Sequence, residues 1–194
     1  MTAILHSPDG TALAAGAHRW LGPLTVEDDA VLARAVGPVL DVGCGPGRHV
    51  LALAERGVVA LGIDITPAAL DVARRRGAPV LGRSVFDRVP GAGRWSTALL
   101  LDGNLGIGGH PEALLGRVTS LLEPGGTVLV ELESPGSTPR FQVVRFDVDG
   151  VEGPWFAWTP VGAEELLAPA TAAGLRVEDV WPAGDRWFGA LHRD

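Results

Sequence analysis

The sequence predicts an α/β protein built on a doubly wound, mostly parallel sheet of about seven strands, with a small β-hairpin inserted after the fifth strand. Three observations lead to this prediction. Short apolar runs bounded by glycine or proline alternate with segments whose apolar residues recur at helical spacing. Strands joined by helices pair in parallel, because a crossover helix returns the chain to the same end of the sheet. An Asp-Gly pair between two strand-like runs predicts the hairpin.

The first 133 residues are expected to contain five strands and four helices. Thr25 and Asp28 form a capping-box-like start for the first helix, and its apolar face would carry Val31, Leu32, Ala35 and Val36. The buried strands are predicted at residues 38–42, 58–64, 79–86, 97–102 and 127–132. The other helices are predicted at residues 47–56, from the Thr66-Pro67 start to about Gly77, and across residues 114–122.

The last quarter of the chain departs from this alternation. Residues 141–148 and 151–158 flank Asp149-Gly150, which is a strong two-residue hairpin signal. A helix is expected at residues 161–173, where Gly174 would end it. Two strands at residues 175–181 and 186–192 would then close the sheet as an antiparallel pair.

The composition is that of a globular chain that repels phosphate backbones. Of 194 residues, 46% are hydrophobic and 20% are charged, the net charge is −7, and every strong cation is arginine. The first ten residues lack the basic-then-apolar order of a signal peptide, and no run reaches the roughly 18 apolar residues of a membrane span. We therefore expect a cytoplasmic protein with no nucleic-acid or membrane partner.

The densest motif is the glycine-rich segment of residues 39–48, where a buried strand runs into three glycines and then a helix. Gly43 and Gly45 would permit positive φ angles and remove side chains where backbone approaches a ligand. The free amides at the helix N-terminus would face that ligand. Asp64 ends the next strand, where a carboxylate can accept hydrogen bonds from both hydroxyls of a ribose.

Two departures argue against a nicotinamide dinucleotide in this loop. Reading the G-x-G-x-x-G fingerprint from Gly43 puts Arg48 where the third glycine belongs. Asp41 lies just before the turn, where it would repel a pyrophosphate and attract an amine. Both departures favour a ligand that has a ribose and an amino group but no phosphate, and S-adenosylmethionine has that shape.

At these residues the chain resembles the class I, Rossmann-like S-adenosylmethionine-dependent methyltransferases, over about residues 39–133. The resemblance implies that Asp41 and the backbone of Gly43, Gly45 and Gly47 hold the methionine end of the cofactor. It also implies that Asp64 binds the ribose and Ile65 packs on the adenine. Ser84 and Val85 end the third strand, where the family usually has an acid that contacts the adenine amine; Asp87 is the alternative acid for that contact. Asp102 and Asn104 would line the methyl-transfer site.

The resemblance divides a single domain of residues 1–194 into four parts. Residues 1–37 form an N-terminal helical cap, and residues 38–133 form the cofactor-binding core. Residues 134–160 are the hairpin, which would act as a lid, and residues 161–194 add the last helix and strands. The acceptor is expected to be a small molecule, and its identity and the oligomeric state stay open.

The catalytic residues are not identified by the sequence, and Asp102 and His110 are the candidates. His110 follows a glycine-rich loop, and imidazole titrates near neutral pH. Trp155 and Trp158 on the hairpin could hold the acceptor beside Asn104, and packing in the core is the alternative role for both. No metal site is expected, because metal-dependent enzymes resembling this fold carry an Asp-Asn pair after the fifth strand, which this chain lacks.

Two other functions stay open at this stage. The absent acid at Ser84 and the absence of an evident base leave room for a non-catalytic S-adenosylmethionine-binding module. A nicotinamide-linked oxidoreductase is the lesser alternative.

Overall fold

The computed structural model describes residues 3–13, 17–138 and 140–194. Its strands are β1 (Ala3–His6), β2 (Ala12–Leu13), β3 (Val39–Val42), β4 (Ala60–Asp64), β5 (Val80–Gly82), β6 (Trp95–Leu100), β7 (Leu122–Leu132), β8 (Gln142–Val148), β9 (Val151–Trp158), β10 (Leu175–Ala183) and β11 (Arg186–Arg193). Its helices are α1 (Ala17–Leu21), α2 (Val26–Leu32), α3 (Arg48–Glu55), α4 (Pro67–Arg75), α5 (Pro111–Leu121) and α6 (Leu167–Ala172).

A seven-stranded sheet in the order β10-β11-β7-β6-β3-β4-β5 forms the centre of the protein. The five strands from β7 to β5 pair in parallel, and β11 and β10 add an antiparallel pair at one edge. Successive side chains of β3 point to opposite faces of the sheet. Leu40 and Val42 therefore join the apolar cluster on one face, and Val39 joins the cluster on the other face. The predicted doubly wound, mostly parallel sheet is confirmed.

A second, four-stranded antiparallel sheet in the order β2-β1-β8-β9 lies beside the first. The predicted hairpin forms its β8 and β9, and Asp149 and Gly150 both have positive φ angles, 50° and 81°, as a tight hairpin turn requires. Leu5, Val144, Phe146 and Trp158 pack in a third apolar cluster that reaches α4 at Ala69. This packing places the second sheet against α4.

The N-terminal part of the chain differs from the expected helical cap. It contributes β1 and β2 as well as two short helices, and β1 pairs along β8 from Ala3 to His6. The short, weakly patterned strand β1 is stabilised by a partner about 140 residues away, which local sequence does not reveal. Residues 1–2 and 14–16 of the expected cap, and residue 139 of the expected hairpin segment, lie outside the described residues.

Several predicted boundaries are wrong by a few residues. Helix α2 ends at Leu32, so Val36 is not on its apolar face and is 66% exposed. Strand β5 ends at Gly82, so Ser84 and Val85 follow it in a loop. The helix expected at residues 161–173 is divided into a 3-10 turn, Ala163–Glu165, and α6. Among the described residues, no helix combines the length and apolar character needed to cross a membrane.

Candidate functional site

A pocket lies at the carboxyl ends of the parallel strands, between the large sheet and the second sheet. One wall consists of the segments that follow β3, β4, β5 and β6, at Val42–Pro46, Arg48, Ile63–Thr66, Arg83–Val85, Asp102, Asn104 and Ile107. The opposite wall comes from β1, α1, β8 and β9, through Leu5, Trp20, Phe146 and Phe156. Open α/β sheets bind ligands at this end of their strands.

The glycine-rich loop after β3 needs its glycines for two different reasons. Gly43 and Gly45 line the pocket with φ angles of +74° and +51°. A Cβ on Gly43 would lie 2.7 Å from Nδ2 of Asn104, whereas one on Gly45 would meet nothing within 4 Å and would project into open space. Gly47 caps α3 at φ +80°, and its missing Cβ makes room for Ala73 and Ala78 instead of lining the pocket.

Asp64 lies at the end of β4 with its carboxylate beside this loop. The backbone N–H of Gly45 donates to Oδ2 at 2.8 Å, and that of Thr66 donates to Oδ1 at 2.7 Å. Burial raises the pKa of Asp64 above its usual range, and these hydrogen bonds oppose that shift. An ionised carboxylate has about four acceptor positions, so two remain for the hydroxyls of a ligand. Ile65, beside it, is 41% exposed and lines the pocket.

Asp41 lies behind the loop and not among the residues that line the pocket. It is buried, its Oδ2 lies 3.7 Å from Nδ1 of His49, and that oxygen has no hydrogen-bond partner. Burial alone would lower the pKa of His49, but the nearby carboxylates of Asp28 and Asp41 outweigh this and raise it to about 9. We interpret Asp41 and His49 as an ion pair that supports the loop from below.

Asp102 belongs to a buried network of charges that sequence reasoning did not identify. Its carboxylate accepts two hydrogen bonds of 2.8 Å from Nη2 of Arg48, and its N–H donates to Glu131 at 2.6 Å. Arg186 donates to Glu131 at 2.6 Å and 2.9 Å and to Asp28 at 2.7 Å. Asp28 also accepts from Arg48 and is fully buried. The network ties α2, α3, β7 and β11 to the pocket.

The charges in this network stabilise one another's ionised forms. Burial alone would raise the pKa of Asp28, yet the hydrogen bonds and positive charges around it hold the pKa well below its usual range. The carboxylates likewise raise the pKa of Arg48 and Arg186 despite their burial. Arg48 contacts both oxygens of Asp102 and so fixes the orientation of that carboxylate. The only sequence signal for the network was Arg48, at the position of the missing third glycine.

The loop after β6 is fixed by side chains from both walls. Nδ2 of Asn104 donates to the carbonyl oxygens of Val42 and Gly43, at 3.0 Å and 2.9 Å. The indole N–H of Trp158 donates to the carbonyl oxygen of Gly103 at 2.8 Å. Asn104 therefore lines the pocket and also holds the glycine-rich loop. Trp158 is buried, does not line the pocket, and supports the loop after β6.

The remaining candidates, Trp155 and His110, do not line the pocket. Trp155 is 44% exposed beside Arg145, and its neighbour Phe156 lines the pocket in its place. His110 is exposed at the start of α5 and is not a lining residue.

The segment after β5 contributes Ser84 and Val85 to the pocket lining, but not Asp87. Cys44 of the glycine-rich loop also lines the pocket, and burial raises the pKa of its thiol, which keeps the sulfur protonated and unreactive.

Comparisons with known proteins identify a domain and show several similar proteins. Residues 39–126 match the family described as "Methyltransferase domain". Trans-aconitate 2-methyltransferase of Methylobacterium radiotolerans is 30% identical over 163 residues, which cover 73% of this chain and 58% of that protein. The enzyme of the same name from Paracidovorax citrulli is 32% identical over 126 residues, covering 62% of this chain and 47% of that protein. The chain thus spans about half the length of these curated relatives.

A solved structure agrees with the fold over nearly the whole chain. The crystal structure of an S-adenosylmethionine-dependent methyltransferase from Bacteroides fragilis, in complex with S-adenosyl-L-homocysteine, matches with a TM-score of 0.76 and 25% identity. The match covers 98% of this chain and 87% of that one. Residues 39–126 thus form a methyltransferase domain, and the fold and glycine-rich loop of the chain are similar to those of the class I, Rossmann-like S-adenosylmethionine-dependent methyltransferases.

Proposed function

We propose that the protein is a methyltransferase that binds S-adenosylmethionine and methylates a small-molecule acceptor. The observation that carries the proposal is the position of Asp64. Its carboxylate is oriented by the amides of Gly45 and Thr66, lines the pocket, and keeps two acceptor positions for a ribose. When bound, the cofactor supplies an electrophilic methyl group on a sulfonium, which a nucleophile takes by in-line displacement.

The residues around the pocket favour catalysis by positioning. The glycine-rich loop and Asp64 would orient the cofactor, and Ile65 and Val85 offer apolar contacts for its adenine ring. The wall from the second sheet would exclude water and hold the acceptor close to the methyl group, which is the largest contribution to a displacement of this kind. We propose a metal-independent reaction, because the lining carboxylates of Asp64 and Asp102 are already held by backbone amides and by Arg48.

The small size of the proposed acceptor rests on the enclosure of the pocket. Leu5, Trp20, Phe146 and Phe156 face the parallel sheet from three separate segments of the chain. We propose that this wall leaves room beside the cofactor for a small molecule and not for a folded protein or a nucleic-acid duplex. The net charge of −7 further disfavours nucleic acid.

Calorimetry on the purified protein tests the cofactor assignment. S-adenosylmethionine and its demethylated product should bind, and NAD should show no heat of binding at the same concentrations. Asp64→Ala should weaken cofactor binding by about 1.5–3 kcal/mol, the usual loss for charge-assisted hydrogen bonds.

Asp71→Ala is the matched control, because Asp71 is an exposed acid on α4 that pairs with Arg74. Equal cofactor affinity in Asp64→Ala and Asp71→Ala would show that the ribose is held elsewhere, and tighter binding of NAD would contradict the assignment. Turnover of the cofactor with any acceptor would exclude a purely cofactor-binding module.

A further inference from the structure

Two carboxylates line the pocket, one on each side of the glycine-rich loop. Asp64 ends β4 and Asp102 follows β6, and these two strands flank β3 in the sheet. The proposed function puts the ribose of the cofactor at Asp64 and its adenine beside Ile65 and Val85, which lie after β4 and β5. The methionine end, with the transferable methyl group, would then extend the other way across the loop, toward Asp102.

At the Asp102 end of the pocket, the hydrogen-bond donors of the protein are already used. The backbone N–H of Gly43 donates to the carbonyl oxygen of Ile63 at 2.8 Å, and that of Asp102 donates to Glu131 at 2.6 Å. Nδ2 of Asn104 donates to two backbone carbonyl oxygens, at 3.0 Å and 2.9 Å. These groups therefore have no N–H left for a ligand.

Oxygen atoms, in contrast, remain available at this end of the pocket. Nη2 of Arg48 donates to both oxygens of Asp102, which leaves two of the roughly four acceptor positions of that carboxylate. Because Nδ2 of Asn104 contacts carbonyl oxygens, Oδ1 is the other end of the amide, and no group in the described part of the chain donates to it. Asp102 and Asn104 both line the pocket and are partly exposed. A ligand that donates hydrogen bonds fits them best.

The loop that carries Asp102 is joined to the wall from the second sheet. The N–H of Gly108 donates to the carbonyl oxygen of Ala157 in β9 at 2.9 Å, and the indole N–H of Trp158 donates to that of Gly103 at 2.8 Å. Asp102 therefore lies where the two walls of the pocket meet. A small molecule held against the second sheet would meet the cofactor at this point.

From these observations we infer that the acceptor is an amine, which donates hydrogen bonds to Asp102 and Asn104 and is methylated on its nitrogen. This inference rests on the proposed function. A primary amine supplies two N–H donors, whereas an alcohol supplies one and a carboxylate supplies none. A polycarboxylate would also bring negative charge up to Asp102, which like charges disfavour.

The charge of Asp102 favours the chemical step as well as binding. The nitrogen reacts as the neutral amine, after its ammonium form has lost a proton to water. Its lone pair forms the new N–C bond, the C–S bond breaks with its electron pair going to sulfur, and a methylated ammonium ion and a neutral thioether result. The positive charge thus moves from sulfur to a nitrogen beside the carboxylate, which stabilises it as it develops. Arg48 is a positioning residue, because it holds that carboxylate.

Four compounds test the inference in assays of S-adenosylhomocysteine formation at about pH 8.5, where an alkylamine keeps a neutral fraction. Benzylamine, benzyl alcohol and benzoate have the same ring and similar size, and trans-aconitate is a polycarboxylate. We expect benzylamine to be methylated at least about tenfold faster than the other three, and N-methylbenzylamine to be the product by mass spectrometry. An equal or higher rate for any of the other three overturns the inference. So does the absence of a methylated amine.

Binding provides a readout that is independent of turnover. Calorimetric titration of benzylamine into protein saturated with S-adenosylhomocysteine should show binding, and Asp102→Asn should weaken it about tenfold or more, as expected for a charge-assisted hydrogen bond. Asp71→Asn is the matched control, because Asp71 is exposed on α4 and does not line the pocket. Equal affinity in the two variants, or no binding of benzylamine to the wild type, contradicts the inferred acceptor. If circular dichroism shows that Asp102→Asn is unfolded, the four compounds on the wild type still decide.

The cofactor carries an ammonium group of its own, and the same variant distinguishes the two amines. If Asp102 contacts the acceptor, Asp102→Asn should bind S-adenosylhomocysteine within about threefold of the wild-type affinity. A loss for S-adenosylhomocysteine as large as that for benzylamine would mean that Asp102 holds the cofactor, and the inference would be wrong.

The two proposals can fail separately. If the protein binds S-adenosylmethionine and methylates benzoate or trans-aconitate in preference to the amine, only the acceptor class is wrong. If S-adenosylmethionine shows no heat of binding and no acceptor yields S-adenosylhomocysteine, the proposed function itself fails.

Discussion

The two walls of the pocket are held in place by different physical means. One wall, formed by the segments after β3, β4, β5 and β6, is called the cofactor wall because we propose that it binds S-adenosylmethionine. Behind it lies a network of buried charges that includes Asp28, Arg48, Asp102 and Arg186, with hydrogen bonds at most of its contacts. The other wall, which we propose holds the acceptor and call the acceptor wall, comes from the second sheet and α1. It is held by apolar contacts, in which Leu5, Val144, Phe146 and Trp158 form one cluster. Directional hydrogen bonds and ion pairs fix the geometry of the first wall, whereas the shapes of packed apolar side chains fix that of the second.

This difference bears on what each wall can do. Directional, charge-assisted bonds keep a loop in one arrangement, which suits a site for a single invariant cofactor. Apolar packing is less directional and tolerates volume-conserving substitutions, which suits a surface whose acceptor differs between relatives. The comparison predicts that pH and charge-removing substitutions act on the cofactor wall, whereas loss of side-chain volume acts on the acceptor wall.

The largest effect is expected from removing the shared carboxylate of the network. Asp28→Ala would leave Arg48, Arg186 and His49 buried without their common partner. We expect a loss of about 3–5 kcal/mol in the free energy of unfolding, the usual cost of breaking a buried charge cluster. Denaturant unfolding followed by circular dichroism measures this loss.

Asp29→Ala is the control for this substitution. Asp29 is the next residue in α2, is exposed, and pairs with Arg56 on the surface. It should cost less than about 1 kcal/mol. Similar losses in the two variants would mean that the network does not stabilise the cofactor wall.

The second prediction separates ligand contact from backbone strain in the glycine-rich loop. Gly45→Val should reduce cofactor affinity by about a hundredfold or more, because the new side chain would occupy the open space of the pocket and disfavour the positive φ angle. Gly57→Val carries the same strain, since Gly57 has φ +74° and nothing within 4 Å, but it lies at the end of α3 away from the pocket. Calorimetry should show normal cofactor binding in Gly57→Val. Equal losses in the two variants would make Gly45 only a turn former.

The cofactor wall was largely predictable from the sequence, and the acceptor wall was not. The strand, glycine-rich loop and helix around Gly43 and Gly45 are encoded by consecutive residues, so local patterns predict them. The network partners Asp28 and Arg186 lie 158 positions apart, and only the folded chain brings them together. Strand β1 likewise depends on pairing with β8, which local sequence does not reveal. For this reason the N-terminal part was expected to be helical.

The third prediction concerns pH. The pKa of His49 is raised to about 9 in the folded protein from its ordinary 6.5, by Asp28 and Asp41 and against the effect of the neighbouring Arg48. A raised pKa of this kind stabilises the fold fully below pH 6.5 and loses that contribution as the pH rises through 9. The loss should be on the order of 3 kcal/mol, since the pKa rises from 6.5 to about 9 and one pKa unit corresponds to about 1.4 kcal/mol.

His49→Gln isolates this contribution, because glutamine cannot gain a proton in this range. The free energy of unfolding should therefore fall less between pH 6.5 and pH 9 in the variant than in the wild type. If the two proteins lose stability in parallel over this interval, His49 is neutral in the folded state and the buried charges are balanced in another way.

The smallest effect should come from the acceptor wall, and it distinguishes two adjacent aromatic residues. Successive side chains of a strand point to opposite faces, so Trp155 and Trp158, three positions apart, cannot share a face of β9. The expectation that both tryptophans hold the acceptor conflicts with this alternation, and the structure places Phe156 in the pocket lining and Trp155 outside it.

Phe156→Ala should raise the KM for the acceptor about five- to tenfold, near the value of one aromatic contact, with cofactor affinity unchanged. Trp155→Ala should leave both quantities within about twofold, because an exposed side chain outside the pocket contributes little to binding. Steady-state kinetics with an identified acceptor, together with thermal melting of both variants, measures the difference. A larger increase in KM for Trp155→Ala than for Phe156→Ala would mean that the acceptor binds on the outer face of the second sheet. The wall that lines the pocket would then not be the acceptor site.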